Sequence, residues 1–343
     1  MPNVELEGPR ALDELLRSGE LVDRTSVLVE AAPLVVWWEE PAAAPTPAAV
    51  ECLRTAPTVT VLVGRPGAVP AGAVAAFDMC LTPDADPPAP WVSADVEAVV
   101  RTVAHQPLAA LTLVAQLRGR RGLDVWTGVV TESAAYAALL GSAGFRAWRE
   151  GHRRRPPSPG TGPAVLVERA GDHLTIILNR PDRHNALDMD MRDNLVAALH
   201  LATIDPGIAS VELRGAGSSF SSGGDLDEFG TVGDPATAHA VRLTRHPGWS
   251  VHLCRDKVTA HLHGACIGAG AEIPAFAGRV TASPDTVFAL PEVGMGLIPG
   301  AGGTVSITRR VGPQRCAWLA LTGAPIDATT AHRWGMVDEL SEP

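Results

Sequence analysis

The 343-residue chain holds one lysine, Lys257, and one tyrosine, Tyr136. Aromatic residues make up only 4% of it. There is no basic excess: 28 Lys and Arg stand against 38 Asp and Glu, for a net charge of -10. That balance excludes non-specific nucleic-acid binding, which needs a basic face. It leaves anionic ligands open, because local arginines and helix N-termini bind phosphate even on an acidic protein. The five cysteines (Cys52, Cys80, Cys254, Cys266, Cys316) are scattered, odd in number and without CxxC spacing. They read as buried free thiols in a reducing compartment rather than as a disulfide framework. No apolar run reaches the roughly eighteen residues a membrane helix needs. The opening MPNVELEGPR has acids where a signal peptide has basic residues. A cytoplasmic protein with no membrane partner is expected. The scarcity of lysine beside abundant Ala, Gly and Pro fits a GC-rich bacterial genome.

What is present is enough for a globular core: 46% of the residues are hydrophobic, in a chain long enough for one large domain or two ordinary ones. A seam shows at HRRRPPSPGTGP (152–163), whose prolines, glycines and arginines make an exposed, stiff linker. It separates residues 1–151 from 164–343. Upstream, PLVVWWEE, TVTVLVG and FDMCLT read as buried strands. AAVECLRTA and ADVEAVVRTVAHQPLAALTLVAQLRGR have helical spacing, with a break at HQP after His105. SAAYAALLGSAGFRAW reads as one or two further helices. This half is α/β and is expected to be structural or assembly-related. Downstream, AVLVERAGDHLTIILNR predicts two strands turning at Gly171 and Asp172. RHNALDMDMRDNLVAALHLATID predicts a helix capped by Asn185 or Asp188. Strands then lead into the glycine-rich runs SSFSSGGD and GACIGAG, an α/β layout with its site at the strand ends.

Two acids stand alone among small residues: Glu272 in GACIGAGAEIPAFAG and Glu292 in ALPEVGMGLIPGAGGT. Glycines let a backbone turn sharply and approach a ligand closely. A helix is expected to begin near Ala269, with Pro274 in its first turn and its dipole facing the loop. An amide there, with a second from the loop holding Gly223 and Gly224, would make an oxyanion hole. Two carboxyls in an apolar pocket cannot both ionise freely, so one serves as acid and the other as base. Singly, Glu272 reads as a helix cap and Glu292 as a surface ion pair. Together with two glycine loops in order, they point to acid–base chemistry.

Other signals are weaker. GAGAEI lacks the third glycine of a dinucleotide fingerprint, and GAGGT lacks the lysine of a P-loop. His261 and His263 alternate as in a strand but have no third ligand in view, so no metal site is expected. Asp225 and Glu228 read as helix caps. Tyr136, Trp249, Trp318 and Trp334 read as packing residues.

The runs SSFSSGGDLDEF, HLHGACIGAGAEI, FALPEVGMGLIPGAGGT and LTGAPIDATTAHRWGMVDEL, in that order, resemble the crotonase superfamily, the enoyl-CoA hydratase/isomerase group, over residues 165–340. The resemblance implies a crotonase-like ββα superhelix, here preceded by a smaller α/β domain. It implies that the amides of Gly224 and Ala269 form the oxyanion hole and that Glu272 and Glu292 are the catalytic glutamates. It implies CoA or substrate contacts from Arg183, His184 and Ala186 in LNRPDRHNAL, and from Ser222, Gly223, Asp225, Leu226 and Gly268. The reaction implied is syn addition of water to a 2-enoyl-CoA, with no metal and no cofactor beyond the CoA of the acyl-CoA substrate, in a homotrimer or dimer of trimers. Isomerisation, retro-aldol cleavage, hydrolysis or a non-catalytic partner subunit are the alternatives. Ala269 stands where the family usually has glycine, and Pro274 is uncommon in that helix. Relatives continue beyond the point matching DELSEP through helices that cover the acyl-CoA. Helices of the first half, residues 133–148 above all, are expected to supply that cover, and residues 229–255 the acyl-pocket walls.

Overall fold

The computed structural model describes residues 4–28, 31–38, 45–120, 122–155 and 162–341. Half of the proline-arginine seam, residues 156–161, lies outside that range. Leu34–Trp38, Thr60–Gly64 and Met79–Thr82 are apolar on both faces, the pattern of a parallel strand covered on both sides. With Val4–Glu7 and Val92–Ser93, two edge strands that the sequence reading did not anticipate, they form a five-stranded parallel sheet in sequential order. One face, with Leu34, Val36, Trp38 and Leu62, packs against Leu12 and Leu53 from two helices of the same half. The other face, with Val35, Val61, Met79 and Leu81, belongs to the main core of the protein.

Four helices join that sheet to the second half. The HQP break is real: Glu97–His105 ends, and Pro107 opens Pro107–Gly119, where its missing N–H costs nothing. Asp124 and Ser142 cap the next two, Val125–Leu140 and Ala143–Gly151. Val99, Leu113 and Val129 from these helices share one buried cluster with Leu174, Leu213, Val305 and Leu319. Arg118 fastens the second helix to the sheet, its Nε donating to Asp78 Oδ1 at 2.7 Å and its Nη groups to the carbonyls of Ala56 and Thr58.

The second half begins with the antiparallel pair Val165–Ala170 and His173–Leu178, turning at Gly171 in the left-handed region. Ser210–Gly215, Val258–Leu262, Arg279–Ala282 and Glu339–Leu340 then add in parallel. Ala265–Ile267, Val287–Ala289 and Ile326–Asp327 form a second, three-stranded sheet. Gly264, with φ +55, lets the chain pass from Val258–Leu262 in the large sheet to Ala265–Ile267 in the small one. A side chain there would run into the Ser218 carbonyl. The fold is therefore mixed α/β, with a smaller α/β unit in the first half. No single helix among the described residues is long and apolar enough to cross a membrane.

The helix expected after GACIGAG is shorter than its sequence implied. It spans only Ala269–Glu272, and Pro274 opens a separate 3-10 turn, Pro274–Phe276. Proline has no N–H with which to continue the helical ladder, so the α-helix stops before it. So short a helix has little dipole; its free amides remain. Of the two candidate caps, Asp188 is the real one, accepting from Met191 N at 2.8 Å, while Asn185 lies in the preceding loop with φ 52.

Candidate active site

Asn185 organises the loop that carries one candidate amide. Its Nδ2 donates to the carbonyls of Ala216, Ser219 and Phe220 at 2.8, 2.9 and 3.1 Å, and its Oδ1 accepts from Arg180 N at 2.8 Å. Ser221 Oγ continues the clamp, donating to the Asn185 carbonyl at 2.8 Å and accepting from Gly223 N at 3.1 Å. Gly223 has φ +90, and a Cβ there would collide with the Ile267 carbonyl and lie 3.5 Å from Ala269 N. The glycine thus lets two strand-end loops meet, placing Gly224 beside Ala269. Neither of those two amides has a hydrogen-bond acceptor among the described residues. Both residues line one cavity of about 270 Å³.

Glu272 and Glu292 line the same cavity and are buried, at 1% and 7% exposure. Glu272 Oε2 accepts from the amides of Ala301 and Gly303 at 2.8 and 2.7 Å, which leaves Oε1 for a ligand. A Cβ on Gly268 would touch Glu292 Oε1 and lie 3.9 Å from Glu272 Oε1, so the two carboxylates converge over this glycine. Glu292 Oε2 is buried without a hydrogen-bond partner. Burial pushes Glu292 up to about 7. It holds Glu272 well above the usual carboxylate range, with the charges of Glu292 and Glu132 adding to it and the two amide bonds opposing it. Glu292 is thereby placed to exchange a proton near neutrality.

Glu132 was not foreseen. It lies on the helix Val125–Leu140, at 1% exposure. Its Oε1 accepts from Gly302 N at 2.7 Å, and its Oε2 from Thr304 N and Oγ1 at 2.9 and 2.6 Å. Four successive amides entering the helix Gly303–Val311 are therefore shared alternately by Glu272 and Glu132. Burial raises Glu132 to about 7, against the pull of these bonds and of Arg120. One signal in the sequence could have found it: Glu132 is the only charged residue in VWTGVVTESAAYAALL. The same helix turns Tyr136 to the cavity, where its ring presses on Gly300.

Of the remaining predicted contacts, only Asp225 lines the cavity. Its two oxygens take Arg155 Nη2 at 3.0 Å and Arg183 Nη2 at 2.8 Å, and Oδ1 also accepts from Asp227 N at 3.0 Å, so it pairs with arginines and caps a turn where no helix forms. Arg155 is thereby tied to the site's rim while staying exposed, as the linker reading expected. Glu228 does serve a helix start, accepting from Met189 N at 2.9 Å. His184, Ala186, Ser222, Gly223 and Leu226 build the loops around the cavity, and Gly268 backs the two carboxylates. His184 Nδ1 meets Ser219 Oγ at 3.2 Å and the His184 carbonyl accepts from Ser222 N at 2.8 Å. His261 pairs with Thr281 and His263 with the Gly217 carbonyl, and no group of three His, Cys, Asp or Glu that could hold a metal occurs among the described residues. Trp249 packs on Trp126 and Trp318 on Trp334, and all five cysteines are free.

A family model described as enoyl-CoA hydratase/isomerase matches residues 170–342, half of the chain. A Mycobacterium tuberculosis protein named "Probable enoyl-CoA hydratase EchA14" is 37% identical over 167 residues, which are 48% of this chain and 64% of that protein. The chain thus spans less than two thirds of that relative's length. The 2,3-dehydroadipyl-CoA hydratase of Escherichia coli K12 is 32% identical over 177 residues, 51% of this chain and 68% of the relative. The crystal structure of an enoyl-CoA hydratase from Thermoplasma volcanium is similar with a TM-score of 0.50 at 31% identity, covering 53% of this chain and 73% of the other.

Proposed function

Because the chain belongs to the enoyl-CoA hydratase/isomerase family, we propose that its cavity binds a 2-enoyl-CoA thioester and adds water across the conjugated double bond. The observation that carries this reading is the convergence of Glu272 and Glu292 over Gly268, beside two amides with no acceptor of their own. The Gly224 and Ala269 amides receive the thioester oxygen. As water attacks C3, negative charge moves to that oxygen, and two fixed donors stabilise it by several kcal/mol. Glu272, anchored through Oε2, takes the water proton on Oε1. Glu292 delivers its proton to C2. One C–O and one C–H bond form, the C2–C3 π bond breaks, and the pair ends with its proton on the other member. Exchange between the two acids restores the starting state. The reaction draws on groups of the chain and on the CoA of the substrate.

The test is direct. Purified protein mixed with a 2-enoyl-CoA should bleach the absorbance of the conjugated thioester, yielding the 3-hydroxyacyl-CoA by mass. Tight thioester binding with no bleaching across a range of acyl lengths would overturn the hydratase reading in favour of a non-catalytic subunit.

A further inference from the structure

Arg242 and Arg245, near the end of the helix Pro235–Thr244, both line the cavity. Among the described residues neither has a carboxylate within ion-pair distance, whereas Arg192 on the same wall is paired with Asp193 at 2.8 Å. Arg242 is half-buried. Its guanidinium lies over the Tyr136 ring, 3.8 Å from the centroid, where it also bonds the Tyr136 hydroxyl, and its Nη1 donates to the Ala238 carbonyl of its own helix at 3.2 Å. A stacked guanidinium keeps the outward edge of its fork open for a bidentate oxyanion. The acids on this wall are otherwise occupied: Asp225 by two arginines, and Glu228 by the Met189 amide. His246, at the start of the next helix, is pushed down to about 4 by burial and by Arg242, and so adds no charge.

We propose that the acyl half of this cavity selects thioesters that carry a second carboxylate, with Arg242 as its counter-ion. The proposal rests on the thioester reading above and names its substrate class. Two oxyanions are chemically open to an arginine here, an acyl carboxylate and the phosphates of CoA. Position favours the first. Tyr136 presses on Gly300, and the neighbouring Ala301 amide holds Glu272, so Arg242 lies against the ring that abuts the segment anchoring a catalytic carboxylate. The CoA diphosphate is separated from those carbons by the whole pantetheine arm. A short acyl chain ending in a carboxylate spans the gap, and Arg245 at the exposed end of the wall adds positive potential.

Adipyl-CoA and hexanoyl-CoA are unreactive in hydration, match in chain length and differ in the terminal charge. Calorimetry with the full chain should show adipyl-CoA binding at least tenfold more tightly. In Arg242→Met that preference should vanish, while Arg242→Lys should keep part of it and show that loss follows the charge and not the fold. Equal binding of the two thioesters by the native protein would overturn the proposal. So would an Arg242→Met defect equal for adipyl-CoA, hexanoyl-CoA and free CoA, which would assign the arginine to CoA phosphate. A preserved preference with no hydration of an enoyl-CoA would sink only the reaction. Failure of every thioester to bind would sink both.

Discussion

Glu132 Oε2 accepts both the amide and the hydroxyl of Thr304, at 2.9 and 2.6 Å. The bond partners lie in different halves of the chain, and the segment they fasten is the one whose amides hold Glu272. The first half is thus bonded to the machinery of the site as well as packed on it.

Replacing that carboxylate tests the link. In Glu132→Gln one amide donor must face a backbone N–H. Unfolding in urea should show a loss of about 1–3 kcal/mol, the cost of an unsatisfied buried donor. Removing a negative charge near Glu272 should also let that base ionise more readily, so the acid limb of the pH–rate profile moves to lower pH. A limb that stays in place would mean that Glu132 is structural only.

The profile of the native protein follows from the same burial. Hydration needs one acid protonated and the other ionised. With Glu272, the base, held well above the usual carboxylate range, the acid limb should lie clearly above 4.5, and with Glu292, the acid, raised to about 7, activity should fall again as pH rises past neutrality. Stability runs the other way. A carboxyl whose folded value is raised stabilises fully below its unfolded value and loses that contribution as pH rises through the folded one. Urea midpoints should therefore decline as pH rises from about 4.5 through about 7, and Glu292→Gln should flatten the slope.

Glu272→Gln and Glu292→Gln should each lower kcat by about a hundredfold or more, the scale of general acid–base catalysis. Saturated acyl-CoA should still bind within a few-fold of the native affinity, because the two amides of the hole are untouched. Unchanged rates would remove these residues from the mechanism.

Gly268→Ala should be more damaging than its size implies. The backbone there has φ 51, and the added methyl would strike Glu292 Oε1. Turnover should fall to the level of the glutamate variants, with a stability loss of order 1–3 kcal/mol from strain. Activity near native would show that the acids do not converge as described.

Arg118→Met should unfold the protein more easily by about 3–5 kcal/mol, because it leaves Asp78 buried and unpaired. Arg118 and Asp78 are 11% and 4% exposed. Thermal melting and urea titration would read this directly. A loss under 1 kcal/mol would show that the pair does not hold the first sheet in place.

Much of this was legible in one dimension. The glycine loops and the lone acids Glu272 and Glu292 stand out because small residues around an acid have few other uses. The strands of both halves showed in their apolar runs, and the break at HQP in its proline. Val4–Glu7 and Val92–Ser93 were missed because edge strands this short carry too few residues for a pattern. Glu132 was missed because a single acid on an apolar helix looks like any tolerated polar residue until its partners are known. The ion pairs of Asp225 were missed because its arginines, Arg155 and Arg183, lie 70 and 42 residues away in the chain.

The order of residues alone determined the family, the α/β class and which two acids are candidates for chemistry, since those follow from local composition and spacing. Only the folded chain decided that Gly224 and Ala269 line one cavity, that Glu132 and Glu272 alternate on one run of amides, and that Arg242 faces that cavity with no ion-pair partner among the described residues. Each of those depends on where distant segments stop against one another. Close packing in three dimensions sets that, and no local pattern encodes it.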